Sequence, residues 1–209
     1  MIAGFLDGYG IITYNTYVSF MSGNTTHAGY GLGQGSYWAV AHSALAIVFF
    51  VGGSFAGALL AHSGVRRIQR LVFGLVAALL ALVVGFTQLG FSSGWVPIAV
   101  ISLAMGAMNT ALSRVGAQFV SLTFVTGTLS RIGVQLALAT RRAPLLGSQG
   151  SCDPHLYRAL LSAGIWAGFL TGALLSGMAT PRFGVWVLLF PILILSVLAA
   201  LDRTTSAAV

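Results

Sequence analysis

The sequence predicts an all-α polytopic membrane protein with six transmembrane helices arranged as a 3+3 inverted repeat, in which helices 1 and 4 are broken. Three observations predict this. Of the 209 residues, 57% are hydrophobic and only 6% are charged, whereas a soluble domain has about 25% charged residues. The mean hydropathy of +0.93 comes from apolar runs near the roughly 20 residues that a crossing needs. A short polar pattern also recurs in the two halves of the chain.

The apolar runs define the crossings in order. They extend over Ile2–Gly33, Tyr37–Ala61, Ile68–Leu89, Trp95–Thr140, Arg158–Ala179 and Gly184–Leu201. The first and fourth runs are too long for one simple helix. Polar residues interrupt the first run at Asp7, at Asn15 and in a Ser-Gly-Asn-Thr-Thr stretch, and the fourth run over Ser113–Gln118. We therefore interpret both as broken crossings within one membrane domain, with residues 1–94 as the first repeat and 95–209 as the second.

The recurring pattern consists of two polar patches. The first patch, Met21–Gly29, reads Met-Ser-Gly-Asn-Thr-Thr-His-Ala-Gly, and the second, Val125–Gly133, reads Val-Thr-Gly-Thr-Leu-Ser-Arg-Ile-Gly. Polar, glycine-containing segments inside a membrane are costly unless they face a cavity or a partner. Two copies in matching places of two halves indicate a transporter-like site between repeats. The alternative is that both patches pack helices, with hydroxyls bonded back to their own helix.

Charge predicts the orientation. All ten basic residues are Arg, and most of them fall in two connections, at 66–70 and 141–158. With six crossings these connections lie on one side together with both termini, and the positive-inside rule makes that side cytoplasmic. An eight-crossing interpretation, in which both long runs are split, would place Arg141 and Arg142 outside. We therefore favour six crossings, which makes the second three-helix repeat inverted relative to the first.

Two further matches follow the same order in both halves. Gly53–Leu60, Gly-Ser-Phe-Ala-Gly-Ala-Leu-Leu, matches Gly168–Leu175, Gly-Phe-Leu-Thr-Gly-Ala-Leu-Leu. Gly4–Asp7 also matches Gly106–Asn109. Matches in a constant order support an internal repeat better than any one of them alone.

Four signatures distributed over nearly the whole chain carry a resemblance. They are Gly-Phe-Leu-Asp-Gly from residue 4, Phe-Met-Ser-Gly-Asn-Thr-Thr from residue 20, Met-Gly-Ala-Met-Asn-Thr-Ala from residue 105 and Thr-Phe-Val-Thr-Gly-Thr-Leu-Ser-Arg from residue 123. The chain resembles the YoaK family of bacterial inner-membrane proteins. The resemblance implies a multi-pass protein of the bacterial inner (cytoplasmic) membrane, without naming a substrate.

A second resemblance lies in the loop after the second crossing. Gly57-Ala-Leu-Leu-Ala-His-Ser-Gly64-Val-Arg66-Arg67 is similar to the cytoplasmic loop motif of the major facilitator superfamily, with Ala61 and His62 where that motif has Asp and Arg. The motif residues carried over are Gly57, Gly64, Arg66 and Arg67. Because each half of such a transporter is a six-helix bundle, the likeness implies half of a transporter that works with a second copy.

Small residues spaced by four mark a predicted dimer interface. They lie in the second and fifth crossings, which join the two bundles in the resembled fold, and comprise Gly53, Gly57, Gly164, Gly168 and Gly172. Glycines four residues apart lie on one helix face and allow close backbone approach. The alternative is packing within one bundle, which the same glycines serve equally well.

The candidate solute-binding residues are the polar side chains of the broken crossings. They are Ser22, Asn24, Thr25, His27, Asn109, Thr126, Thr128 and Arg131. An electropositive cavity between His27 and Arg131 would suit a small anion, because a guanidinium binds carboxylate or phosphate bidentately. Arg131 could instead extend to an interface or pair with Asp7, and His27 could be a structural histidine.

Asp7 is the only acidic residue inside a predicted crossing. Buried carboxylates in membranes are usually paired or belong to ion or proton pathways, which makes Asp7 the candidate proton-coupling residue. The alternative is that it caps a helix at the cytoplasmic surface.

These observations favour a half-size secondary transporter or facilitator for a small polar solute, working as a homodimer in the lipid bilayer by alternating access. The alternative is a non-transporting membrane scaffold or accessory subunit. The sequence has no nucleophile elbow, phosphate-binding loop or paired catalytic carboxylates, so we expect no enzyme. We also expect no cofactor, no metal site and no nucleic-acid partner, because the histidines lack ligand spacing and the Arg residues fall at the ends of apolar runs.

Overall fold

The computed structural model is almost entirely helical. It describes residues 1–64, 67–90, 93–112, 114–115, 118–119, 125–141 and 154–202. The helices are α1 (Ile2–Tyr14), α2 (Met21–Gly33), α3 (Tyr37–His62), α4 (Ile68–Gln88), α5 (Trp95–Leu112), α6 (Val125–Thr140), α7 (Pro154–Phe183) and α8 (Leu189–Leu201), and a 3-10 segment, Gly184–Leu188, joins the last two.

Three helical stretches of the described chain are long and apolar enough to cross a membrane. They are Tyr37–His62, Ile68–Gln88 and His155–Leu201, and Trp95–Thr110 is a shorter apolar helix. The third stretch has 47 residues, which is about 70 Å of helix and more than twice the hydrocarbon thickness. Gly184, with a φ of 52°, separates α7 from the segment that leads into α8.

The first predicted crossing is broken, but at a different place from the polar patch. α1 begins at Ile2 and α2 ends at Gly33, which are the predicted bounds of the first run. Residues 15–20 between the two helices are not helical. Asn15 ends α1 in the left-handed conformation, with a φ of 53°, which Asn tolerates better than most residues. The patch Met21–Gly29 is helical and begins α2, so its predicted role as the break is corrected.

The second patch, Val125–Gly133, likewise begins α6 as a helix. Before it, β1 (Arg114–Val115) pairs antiparallel with β2 (Gln118–Phe119), and Val115 stands opposite Gln118. The predicted all-α class is confirmed for nearly all of the described chain, and this short hairpin is the exception. It falls in the polar run Ser113–Gln118, where the sequence predicted an interruption of the helix but not a hairpin.

The buried core is organised around α4. Val72, Val76, Leu80 and Val83 are almost fully buried, and their spacing places them on one face of the helix. This face belongs to one apolar cluster with residues of α1, α5, α8 and the 3-10 segment. The core therefore joins elements from both ends of the sequence.

The helix contacts occur in matching pairs. α3 packs on α5 and α1 on α7, while α2 packs on α3 and α6 on α7. α4 contacts both α5 and α8. Within the described residues, α1 does not pack along α2, nor does α5 pack along α6.

The crossing of α1 and α7 is very close. A methyl group added at Gly4 would overlap the backbone carbonyl of Phe169, and one added at Gly8 would lie 3.0 Å from Cβ of Ser176. Because the contact positions rise together along both helices, α1 and α7 run parallel. Only glycine permits this backbone approach.

The crossing of α3 and α5 is built in the same way. A methyl group at Gly53 would overlap the carbonyl of Leu103, and one at Gly57 would lie 2.6 Å from the carbonyl oxygen of Ala107. These two helices also run parallel. In each crossing, the first helix of a broken run in one half of the chain thus packs on a glycine-bearing helix of the other half.

Candidate functional site

Asp7 holds the break between α1 and α2 together. Its Oδ1 accepts hydrogen bonds from the backbone N–H groups of Val18 at 2.9 Å, Ser19 at 2.7 Å and Phe20 at 3.3 Å. Its Oδ2 accepts a bond from the Ser19 hydroxyl at 2.6 Å. The side chain is only 4% exposed. Because these N–H groups belong to the non-helical residues just before α2, Asp7 holds the segment between the two helices against α1.

The two expectations for Asp7 have different outcomes. The side chain is buried and binds the residues between the helices, whereas neither α1 nor α2 has a side-chain cap hydrogen bond. Its proton-coupling role stays a prediction. These four hydrogen bonds are all donated to the carboxylate. They offset part of the cost of burying it.

Asn24 fixes the other side of the break. Its Oδ1 accepts a bond from the backbone N–H of Tyr17 at 3.0 Å, and its Nδ2 donates to the carbonyl of Tyr17 at 2.6 Å. Asn24 is completely buried. An asparagine that satisfies both backbone groups of one residue replaces the hydrogen bonds that the chain loses where it leaves the helix.

The threonines of the first patch follow the packing alternative. Thr25 Oγ1 donates to the carbonyl of Met21 at 2.8 Å, and Thr26 Oγ1 donates to the carbonyl of Ser22 at 3.0 Å. Such bonds to the residue four positions earlier satisfy hydroxyls within their own helix. Thr25 and Thr26 are nevertheless exposed, so no residue that the structure describes covers them.

His27 joins α2 to α3. Its Nδ1 lies 3.4 Å from the Ser43 hydroxyl, and its ring lies 5.0 Å from that of Tyr30, centroid to centroid. These contacts fit the structural histidine that the sequence left open. They also turn the imidazole toward α3.

A cavity of about 310 Å³ lies beside the α1–α7 crossing, and we call it the α1–α7 cavity. It is lined by Gly4, Asp7, Gly8, Ile11, Tyr17, Phe20, Val125, Thr126, Phe169 and Ala173. Its lining combines the first break with the first residues of α6. A polar residue from each half of the sequence, Asp7 and Thr126, therefore lines one space.

A second cavity, of about 410 Å³, lies along α2, and we call it the α2 cavity. It is lined by Ile11, Asn15, Tyr17, Phe20, Ser22, Gly23, Thr26, His27 and Tyr30. Ile11, Tyr17 and Phe20 line both cavities. The rings of Tyr17 and Phe20 meet edge to face, with centroids 5.3 Å apart and an interplanar angle of 89°.

The predicted solute-binding residues do not converge on one point. Ser22 and His27 line the α2 cavity and Thr126 lines the α1–α7 cavity. Asn109 and Thr128 line neither cavity, although both have contacts with other groups. Asn24 and Thr25 serve the local structure of α2, as described above.

Arg131 is exposed on α6. It lines neither the α1–α7 cavity nor the α2 cavity. The electropositive cavity between His27 and Arg131 therefore stays a prediction.

The glycines of the predicted dimer interface have mixed positions. Gly53 and Gly57 are buried against α5, and Gly172 is buried where an added methyl would overlap the carbonyl of Met1. A methyl at Gly168 would lie 3.7 Å from the Met1 nitrogen, and one at Gly164 would meet nothing within 4 Å. We therefore reassign Gly53, Gly57 and Gly172 to packing within the chain.

The loop motif after α3 is partly described. Gly57 lies at the α3–α5 crossing, Gly64 has a φ of 71° in the turn, and Arg67 is exposed at the start of α4. Arg66 lies outside the described residues. The positive φ at Gly64 is a turn conformation that favours glycine, which gives this position a local role in the turn.

Several residues of the candidate site were not identified from the sequence. Ser19, which binds Asp7, and Gly8, Phe169 and Ala173, which line the α1–α7 cavity, were not among the candidates. The spacing of Gly4 and Gly8 by four residues was the available signal, since it marks a close helix contact. No local pattern indicated that the partner of that contact was α7.

Within the described ranges, no three His, Cys, Asp or Glu side chains come together as a metal site would require. The polar groups are hydroxyls, one buried carboxylate, one buried amide and backbone atoms. Such a set can bind a small solute through hydrogen bonds and one charge.

Long apolar helices, exposed apolar side chains and a carboxylate buried at a helix break define an integral membrane protein of the α-helical class. Residues 1–201 match the family described as "Protein of unknown function (DUF1275)", and the chain belongs to that family.

A relative from Rhizobium meliloti (strain 1021), described as "UPF0700 transmembrane protein RA0705", is 32% identical over 132 residues. The match covers 63% of this chain and 56% of that protein, so the chain spans little more than half the length of this relative. Its description agrees with the membrane assignment. No solved structure matches the chain significantly.

Proposed function

We propose that this protein is a secondary transporter or facilitator for a small polar solute. The observation that carries the proposal is the α1–α7 cavity, which brings Asp7 of the first broken run next to Thr126 of the second. Irregular backbone at membrane depth is tolerated where it is buried in protein or lines a cavity. In secondary transporters, sites of this kind lie between internal repeats at broken helices. The residues present suit binding and passage, and we do not propose catalysis.

The paired helix contacts support a repeat of residues 1–94 and 95–209. The contact of α1 with α7 corresponds to that of α5 with α3, and the contact of α2 with α3 corresponds to that of α6 with α7. The same matching relates the glycines, since Gly4 and Gly106 each approach a backbone carbonyl of the opposite half. In both halves, the first helix packs on a helix of the opposite half, which is the arrangement that an inverted repeat would produce.

The helix lengths support six crossings over eight. α1 and α2 have 13 residues each, or about 20 Å of helix apiece, which is less than the roughly 30 Å that a crossing needs. Helices that doubled back as two crossings would pack along each other, and α1 and α2 do not within the described chain. We propose that the two together make one crossing, and that α5 and α6 make another.

We propose that both termini face the cytoplasm of a bacterial inner membrane. The backbone N–H of Arg70, at the start of α4, donates to Oδ2 of Asp202, just after α8, at 3.1 Å. This contact supports a common side for the connection before α4 and the end of α8. The Arg residues of that connection favour the cytoplasmic side.

We propose that a second copy covers the exposed polar faces of α2 and α6. These faces present Thr25, Thr26, Thr126, Ser130 and Arg131. Lipid is a poor cover for such groups, whereas a water-filled space between two bundles can accommodate them. This is the arrangement that a half-size transporter of the major facilitator type would use, and it replaces the glycine interface that the sequence suggested.

Thiol labelling tests the transport proposal. Cys152, the single cysteine of the chain, is first replaced by Ser, and Thr126→Cys is introduced in sealed vesicles. We expect charged, membrane-impermeant thiol reagents to modify this position from both faces, because alternating access opens the cavity to each side in turn. Only a water-accessible thiolate reacts.

Val48→Cys is the matched control, because Val48 is an apolar side chain, 65% exposed, in the middle of α3. It should resist these reagents from both faces. Protection of Thr126→Cys to the same degree would reject the transport proposal.

A second candidate function is a non-transporting scaffold or accessory subunit. The bonds of Thr25 and Thr26 to their own helix favour it, because they satisfy hydroxyls without any solute. This alternative predicts that Thr126→Cys is protected from both faces, so the same experiment separates the two functions.

A further inference from the structure

We propose that the α2 cavity and the α1–α7 cavity are two parts of one solute path, which the rings of Tyr17 and Phe20 close between them, and that this path admits neutral and cationic solutes and disfavours anions. The inference rests on the proposed transport function, to which it adds the closing residues and the charge class of the solute.

The first argument is the shared lining. Tyr17, Phe20 and Ile11 each line both cavities, so these three side chains form the wall between them. Two of the three are aromatic and contact each other edge to face. Such a pair adds a modest stabilisation beyond its buried area, so it can hold a closed state and still open thermally.

The second argument is that the backbone under the two rings is fixed. Tyr17 is held through both its N–H and its carbonyl by Asn24, and Phe20 donates its N–H to Asp7. The anchors come from α1 on one side and from α2 on the other. Opening between the cavities can therefore occur by rotation of the two side chains while the break keeps its form.

The third argument concerns Gly23, one turn after Phe20 in α2. A methyl group at Gly23 would overlap the Phe20 ring and would come within 3.0 Å of the Tyr17 ring. The absence of a side chain at Gly23 thus sets the position of both rings. Gly29 lies in the same helix with nothing within 4 Å of an added methyl, which provides a matched control.

The charge class follows from the side chains that line the path. Among the described residues lining the two cavities, Asp7 is the only Asp, Glu, Lys or Arg. Its four hydrogen bonds are all donated to the carboxylate, so they favour the carboxylate form. Tyr17, Phe20 and Phe169 also line the α1–α7 cavity, and aromatic rings attract cations. The described lining of this cavity has no Lys, Arg or His side chain to bind an anion.

The experiment uses the full chain with Cys152→Ser in sealed vesicles. Ser22→Cys reports on the α2 cavity, and Ala173→Cys reports on the α1–α7 cavity, both by small changes at lining positions. An impermeant thiol reagent is added only to the face from which Ser22→Cys reacts. Rates of modification are then compared at the two positions.

We expect Ala173→Cys to react from that face about two- to tenfold more slowly than Ser22→Cys, in keeping with the energy of one aromatic pair. Adding Phe20→Ala should remove most of this difference without changing the rate at Ser22→Cys. Gly23→Ala should alter the Ala173→Cys rate, and Gly29→Ala should leave it unchanged. Equal rates at both positions in the parent protein, or no effect of both Phe20→Ala and Gly23→Ala, would overturn the closing role.

The charge class is tested by cationic and anionic methanethiosulfonates of similar size. We expect the ratio of the cationic to the anionic rate to be about tenfold higher at Ala173→Cys than at Ser22→Cys. The reason is that a single charge a few ångströms away has an effect of this order in a partly wet site. Asp7→Asn should reduce that preference. A preference for the anionic reagent at Ala173→Cys overturns the charge class even if Asp7→Asn does not fold.

The two proposals fail in different ways. If Thr126→Cys reacts from both faces but Phe20→Ala and Gly23→Ala change nothing, transport stands and the closing role of Tyr17 and Phe20 is lost. If Thr126→Cys and Ala173→Cys are both protected from both faces, the transport function and this inference fall together.

Discussion

The crossings α1–α7 and α3–α5 have the same backbone packing and different chemistry. In each, glycines allow two parallel helices to approach until an added methyl would overlap a carbonyl. Beside the first crossing, Asp7 is buried and holds a helix break, whereas the matching residue of α5 is Asn109, which is only half-buried. The comparison teaches that packing is common to both halves, while among the described residues a buried Asp, Glu, Lys or Arg is found in the first half alone.

Removing the charge should have the largest effect. Asp7→Ala takes the acceptor away from three buried backbone N–H groups, each worth about 1–3 kcal/mol when unsatisfied. We expect a loss of about 4 kcal/mol in the free energy of unfolding, measured by thermal denaturation of the purified protein in detergent. Asp202→Ala is the control, because Asp202 accepts one exposed bond from Arg70. Similar losses for both variants would mean that Asp7 contributes no more to stability than the exposed Asp202 does.

The common packing is tested by one glycine from each crossing. Gly4→Ala and Gly106→Ala both place a methyl group onto a backbone carbonyl, and we expect each to destabilise by about 2 kcal/mol, the usual range for overpacking. Gly164→Ala and Gly52→Ala have open space at the new methyl and should be neutral. A large loss at only one of the two crossings would break the equivalence of the two halves.

A smaller loss is expected on the α2 side of the break. Asn24→Ala leaves the backbone N–H and carbonyl of Tyr17 without their partner, and we expect about 1 kcal/mol of destabilisation, since single polar contacts in membrane proteins have modest values. Thr25→Ala, in the same helix, removes only an exposed bond to its own turn. A melting temperature for Asn24→Ala equal to that of Thr25→Ala would mean that Asp7 alone maintains the break.

Arg131→Ala should have the smallest effect on stability. Arg131 is exposed and lines neither cavity, so we expect a change within about 0.5 kcal/mol, as for most surface substitutions. The labelling rate of Ala173→Cys should also be unchanged by it. A marked fall in either quantity would support the predicted role of Arg131 in binding an anionic solute.

The ends of the helices were predictable from local sequence. The run Ile2–Gly33 and the observed α1 and α2 share their ends, because apolar length and the polar turn at 34–36 both act locally. Of the interruptions predicted in the first run, Asn15 is confirmed, since it ends α1 with a positive φ. The interruption predicted in the polar patch is wrong, because the hydroxyls of Thr25 and Thr26 are satisfied within the helix and do not interrupt it.

The candidate site was predictable only in part. The sequence singled out Asp7, Asn24 and Thr126, which do hold the break or line the α1–α7 cavity. It could not find Phe169 and Ala173, which lie more than 150 residues after α1 and approach it only because Gly4 and Gly8 allow the contact. The role that it gave Arg131 stays a prediction, since Arg131 lines neither cavity.

By itself, the sequence determined that this is a helical membrane protein with a polar, broken first run, since apolar length and charge content act through the solvent and do not depend on the fold. Only the tertiary structure decided what Asp7 binds, which glycines pack within the chain, and that Tyr17 and Phe20 stand between two cavities. The reason is distance along the chain. Hydrogen bonds from Asp7 to Ser19 and close packing of Gly4 on Phe169 exist only after remote segments meet, and no local pattern encodes which segments those are.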